Sequence, residues 1–86
     1  MGKKVEIYTL DYCPYCQKAK FLLKEHNVDF KEIPCDDNEE EMRIELTKKY
    51  SLPNLATFPQ IIIDGINIGG YSDLVEKIDS REIRFE

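Results

Sequence analysis

The chain reads as an α/β layered protein: a mixed four-stranded sheet with helices on both faces, in the order βαβαββα. Three observations predict it. Apolar residues recur at period two and at helical spacing in alternating segments. The first two strands flank a helix, which implies a right-handed parallel crossover between them. Further on, Asp64-Gly65 separates two short apolar runs, the signal of a hairpin and so of antiparallel pairing.

The elements follow in order. Lys4–Thr9 places Val5 and Ile7 on one face, with Tyr8 and Thr9 favouring a strand. Cys13–His26 carries Cys16, Ala19, Leu22, Leu23 and His26 at three- and four-residue spacings, a helical stripe that Asn27 caps. Asp29–Ile33 alternates again and Pro34 closes it. Asn38 followed by Glu39, Glu40 and Glu41 marks a second helix start, with acids where the macrodipole favours them. Its buried face comprises Met42, Leu46 and Tyr50, and Glu39–Arg43 and Glu45–Lys49 are spaced as outward ion pairs. Gln60–Ile63 is the continuous apolar run of an inner strand, and Ile66–Ile68 is its return. Gly69-Gly70 break that strand, and a last helix begins near Ser72.

With 86 residues there is room for one domain, spanning 1–86, that buries only about 60% of its unfolded surface. No apolar run approaches the roughly 20 residues of a membrane-spanning helix. The opening Met1-Gly2-Lys3-Lys4 has no apolar segment or cleavage signal behind it, so a cytoplasmic location is expected. Three cysteines, an odd number, fit a reducing compartment where paired thiols are catalytic or metal-binding. A net charge of −5 argues against nucleic acid, whose phosphates need a basic surface.

Cys13-Pro14-Tyr15-Cys16 is the sharpest motif, set where a strand has ended and a helix begins. Cys13 lies at the helix N-terminus, where unpaired N–H groups and the helix dipole favour a thiolate nucleophile. Pro14 suits the first helical position. Cys16, one turn on, faces inward. Disulfide exchange needs this pairing of one exposed sulfur to attack with one protected thiol to resolve. C-x-x-C also supplies half of a zinc tetrahedron, but only Cys35 and His26 remain to complete one. The strand–helix context favours redox chemistry.

The run from Tyr8-Thr9 through Cys13-Pro14-Tyr15-Cys16 to Lys18-Ala19-Lys20 resembles the active-site signature of dithiol glutaredoxins. Thr57-Phe58-Pro59-Gln60 and Gly69-Gly70-Tyr71-Ser72-Asp73-Leu74 are similar to two further motifs of that family, in order and spacing. The resemblance implies a thioredoxin-like fold and a glutathione-dependent thiol–disulfide oxidoreductase. Cys13 and Cys16 would be its catalytic, redox-active pair, glutathione its reducing co-substrate, and no metal is implied. It also implies a cis bond between Phe58 and Pro59 that turns the Phe58 backbone outward, where an extended thiol peptide could pair. Glutathione would lie among Tyr15, Thr57, Phe58, Pro59, Gly70, Tyr71, Ser72 and Asp73. The Ser72 and Asp73 amides would hold the γ-glutamyl carboxylate at a helix N-terminus, and the Asp73 side chain would meet the ammonium. An ordinary helix cap after a glycine turn accounts for the same residues and is compatible with that role. Substrates would be disulfide-containing or glutathionylated proteins, with ribonucleotide reductase among those the resemblance allows, and the chain is expected to act as a monomer.

The sequence departs from the family pattern at three places. Leu10 stands where a lysine usually precedes the first cysteine, which removes a cation for the glycyl carboxylate of glutathione; Lys18, Lys20, Lys48 or Lys49 could replace it. Ser51–Ala56 is longer than usual, and Phe58 replaces a more common valine. Cys35 reads as a buried small hydrophobe and His26 as a helix C-terminal residue favoured by the dipole. Two rivals stand beside the main reading: a small redoxin fed by thioredoxin reductase, and an iron–sulfur or metal carrier using Cys13.

Overall fold

The computed structural model describes residues 3–82. The reading of Met1-Gly2 and the last four residues of the 1–86 span lie outside the described residues. The elements are β1 (Val5–Thr9), α1 (Pro14–Glu25), β2 (Phe30–Pro34), α2 (Glu39–Lys49), β3 (Gln60–Ile63), β4 (Ile66–Gly69) and α3 (Tyr71–Asp79), with a 3-10 turn at Asp36–Asn38 before α2. The sheet order is β2-β1-β3-β4. β1 and β2 run parallel, while β1–β3 and β3–β4 are antiparallel.

Strand alternation assigns the two faces. Val5, Ile7, Ile61 and Ile63 point to one side and pack with Ala19 and Leu23 of α1 and Leu74 of α3. Leu23 and Leu74 are fully buried there, so cutting either back to alanine costs about 2–5 kcal/mol. Tyr8 points to the other side, where α2 ends beside it at Lys49 and Tyr50. Helices therefore cover both faces. Thr9 and Lys20 both donate to Glu32 Oε2, at 2.7 and 2.9 Å, which ties β1 and α1 to the edge strand β2.

The turns use the residues their geometry needs. Asn27 adopts φ 58° after α1, and Asp64 and Gly65 adopt φ 51° and 82° between β3 and β4. Asp64 Oδ1 also accepts the Lys4 N–H at 2.9 Å.

Three local expectations shift. The stretch before α2 winds as a 3-10 turn, with Asp36 Oδ1 accepting the Asp11 N–H at 2.8 Å, so these acids brace the loop before Cys13. Only Leu46 of the expected α2 stripe is fully buried; Met42 and Tyr50 are half-covered. Glu39–Arg43 forms as an ion pair at 2.7 Å, whereas Lys49 lies over the Tyr50 ring at 5.5 Å. With one leucine fully buried, this short helix gains little from its apolar face, and polar contacts of Glu39, Arg43 and Thr47 add to its attachment.

Candidate active site

Cys13 is the N-cap of α1, in extended conformation, and Pro14 follows as the first helical residue. This places its sulfur over the start of the helix. Its Sγ accepts the Cys16 N–H at 3.2 Å and lies 3.6 Å from the Phe58 carbonyl oxygen. Cys13 is half-buried, whereas Cys16 is fully buried one turn along. Burial first, then the hydrogen bond with Cys13, pushes the Cys16 thiol from an ordinary 9.0 up to about 12. Cys16 is thus held as a thiol. The two sulfurs are chemically unequal although one sequence motif supplies both.

The Phe58-Pro59 bond is cis, as expected. It lies at the head of β3, the strand next to β1, so the sheet brings it to Cys13 across 45 residues of sequence. Gln60 Nε2 donates to the Thr57 carbonyl at 2.8 Å, and Asn67 of β4 donates to Gln60 Oε1 at 2.9 Å. That chain of amides braces the turn.

Gly69 has φ 105°, which favours glycine, and a Cβ there would press on the Asp73 carboxylate. Asp73 Oδ2 accepts the Gly70 N–H at 3.0 Å and so caps α3. The Tyr15 and Tyr71 rings stand 6.0 Å apart, and Lys18 Nζ sits 5.0 Å above the Tyr15 ring.

Tyr15, Thr57, Phe58, Pro59, Gly70, Tyr71, Ser72 and Asp73 line one open cleft of about 540 Å³, so every expected glutathione residue is gathered there. Leu52, Pro53 and Leu55 form a further wall of the same cleft. Leu10 is 2% exposed and belongs to the core, not the rim. Of the lysines named as replacements, Lys18 reaches the Tyr15 rim, while Lys20 is paired with Glu32.

Sequence reading missed Arg43 as a residue of this region. Its guanidinium pairs with Glu39, donates to the Ala56 carbonyl at 2.9 Å and stacks 5.0 Å from the centre of the Phe58 ring. Glu39 also accepts the Tyr12 hydroxyl. These contacts link α2 to the residue before Cys13 and to the loop before Pro59. The i,i+4 spacing with Glu39 was visible in the sequence, but no local pattern signals a contact with Ala56.

The family model for Glutaredoxin matches residues 5–68. Glutaredoxin 3 of Escherichia coli K12 is 47% identical over 70 residues, 81% of this chain and 80% of that protein. The chain belongs to the glutaredoxin family. A crystal structure of glutaredoxin 1 from Francisella tularensis superposes with a TM-score of 0.77 at 35% identity, covering 93% of this chain and 96% of the other. A buckwheat glutaredoxin, solved as a glutathione complex, matches in fold with a TM-score of 0.78 at 23% identity, over 93% and 72% of the two chains. This glutaredoxin has the thioredoxin-like fold, and its activity is that of a thiol–disulfide oxidoreductase with glutathione as the family's reductant. Among the described residues, no three His, Cys, Asp or Glu side chains converge as a metal site, and no helix is long and apolar enough to cross a membrane.

Proposed function

We propose that Cys13 is the attacking sulfur, Cys16 the resolving thiol and the cleft beside them the glutathione site. The observation that carries this reading is the half-exposed Cys13 sulfur, set between the Cys16 N–H and the Phe58 carbonyl at the edge of that cleft. With a glutathionylated protein, Cys13 attacks the glutathionyl sulfur. A Cys13–glutathione disulfide forms as the old S–S bond breaks, and the protein thiolate leaves and takes a proton. The thiolate of a second glutathione attacks the glutathionyl sulfur, releasing glutathione disulfide and restoring Cys13.

With a protein disulfide, Cys13 forms a mixed disulfide with one sulfur and the other leaves as a thiol. Cys16 then loses its proton and attacks Cys13. The substrate departs as a dithiol and the Cys13–Cys16 disulfide remains. Two glutathiones reduce it and leave as one glutathione disulfide. Thus two electrons pass from two thiols to one disulfide in either route.

The extended Thr57–Phe58 backbone would pair with the glutathione cysteine, and the Ser72 and Asp73 amides at the start of α3 would take the γ-glutamyl carboxylate. Asp73 would face the ammonium with the carboxylate that caps α3, since a carboxylate accepts several hydrogen bonds. Tyr15 and Tyr71 would flank the ligand. The same proposal has one domain acting as a cytoplasmic monomer on protein disulfides, ribonucleotide reductase being one target that the resemblance allows.

Cys16→Ser tests the assignment. Incubated with glutathione disulfide, this variant should accumulate one glutathionyl adduct on Cys13, seen by peptide mass mapping and removed by free glutathione. An adduct on Cys35 in its place would refute the choice of nucleophile.

A further inference from the structure

The Leu52–Ala56 loop is held in place at both ends. At one end, Leu52 N–H donates to the Thr47 carbonyl at 2.9 Å. At the other, Ala56 N–H donates to Thr47 Oγ1 at 2.8 Å and its carbonyl accepts Arg43 Nη1 at 2.9 Å. Between these anchors Leu52, Pro53 and Leu55 wall the cleft, with Asn54 the one polar side chain among them, and Leu55 is 58% exposed. Fixed ends preorganise the wall, so little ordering is left to oppose binding. Yet the wall's three apolar side chains have no counterpart in glutathione, which carries two carboxylates, an ammonium and no apolar side chain. Asp73 is the one charged residue among the described residues lining the cleft, and it belongs to a different element.

We propose that Leu52, Pro53 and Leu55 form a subsite for an apolar side chain of the polypeptide substrate, next to the cysteine whose disulfide Cys13 attacks. This rests on the glutathione-dependent reading above and adds the second substrate to it. The wall is continuous with the cleft beside Thr57 and Phe58, so in the protein-disulfide route, before glutathione enters, a peptide laid along that edge passes over it. Covering an exposed leucine with another apolar group is favourable, whereas a polar group there would lose water and find no charge partner.

The test compares two short peptides, each closed by its own disulfide, that differ only in leucine or serine beside the cysteine. The small mixed disulfide of glutathione and mercaptoethanol is the reference. With glutathione and glutathione reductase supplied, kcat/KM should be about tenfold higher for the leucine peptide, a fraction of what full burial of a leucine gives. Leu55→Ser should bring the two peptides within about twofold of each other. Leu55 is exposed, so the fold should tolerate the change. Equal rates for the two peptides with the unaltered protein would overturn the subsite, as would a preference that survives Leu55→Ser. No turnover even of the reference would overturn the underlying glutathione reading as well, which keeps the two failures distinct.

Discussion

Asp73 carries two tasks on one carboxylate. It caps α3 through Gly70 N–H and, in the proposed site, faces the ammonium of glutathione. Asp73→Asn separates them, because an amide oxygen can still accept from Gly70 while the charge is gone. A charged hydrogen bond is worth about 1.5–3 kcal/mol, so KM for glutathione should rise about tenfold or more. The denaturation midpoint and the rate of Cys13 alkylation should stay near those of the unaltered protein. Unchanged glutathione kinetics in a folded variant would remove Asp73 from the site. Cys16 yields a pH prediction. The unfolded chain loses this proton from about pH 9 upward, whereas the folded chain keeps it until about 12. Its contribution to stability is therefore intact below pH 9 and lost as pH rises from 9 towards 12. Urea midpoints measured on either side of pH 9 should fall less in Cys16→Ala than in the unaltered protein, and an equal fall would contradict the assignment. At this scale the sequence was most readable where chemistry is local. The Cys13–Cys16 spacing, Pro14 and the glycine pair announced their own geometry. Leu10 was visible as a missing cation, but that it joins the core depended on packing no short window contains.

α2 is the element whose role was least legible. Its periodicity suggested a helix packed through Met42, Leu46 and Tyr50, and the fold buries only Leu46 completely. Its other contribution is through polar side chains: Arg43 and Thr47 hold the loop that leads to Pro59. Such contacts link residues separated by a turn of unpredictable path, so periodicity cannot reveal them. Arg43→Gln should therefore cost more than the loss of a surface ion pair. The Ala56 hydrogen bond is charge-assisted but the Arg43 side chain is 24% exposed, which lowers the expected loss to about 1–2 kcal/mol. Glu39→Gln, which removes the charge that pairs with Arg43 while its amide oxygen can still accept the Tyr12 hydroxyl, should cost less than Arg43→Gln. Chemical denaturation of the two variants decides this, and equal losses would show that the contact with Ala56 contributes nothing. The 3-10 turn at Asp36–Asn38 was missed for a similar reason, since Asp36 is fixed there by Asp11 on another segment.

Across the molecule, the strand order does what no single motif can. β1 ends in the Cys13 loop, β3 begins at the cis-proline turn, and their antiparallel pairing sets the two side by side. The end of β4 then delivers Gly69 and Gly70 to the same rim through its pairing with β3. The alternation of apolar periods was enough to foresee this sheet, because the patterns of its central strands β1 and β3 matched their final burial. It was not enough to foresee the cleft's apolar wall, which depends on where one loop settles. A net charge of −5 leaves the recognition of anionic glutathione to local groups, which in the proposed site are chiefly backbone amides at the start of α3. The central claim is that electrons reach Cys13 from glutathione. It is tested most directly by following NADPH consumption during turnover of the mercaptoethanol–glutathione mixed disulfide under two reducing systems. With glutathione and glutathione reductase, turnover should be rapid and saturate with glutathione; with thioredoxin reductase alone, it should stay at background. Turnover with thioredoxin reductase that equals or exceeds the glutathione-driven rate would contradict the account.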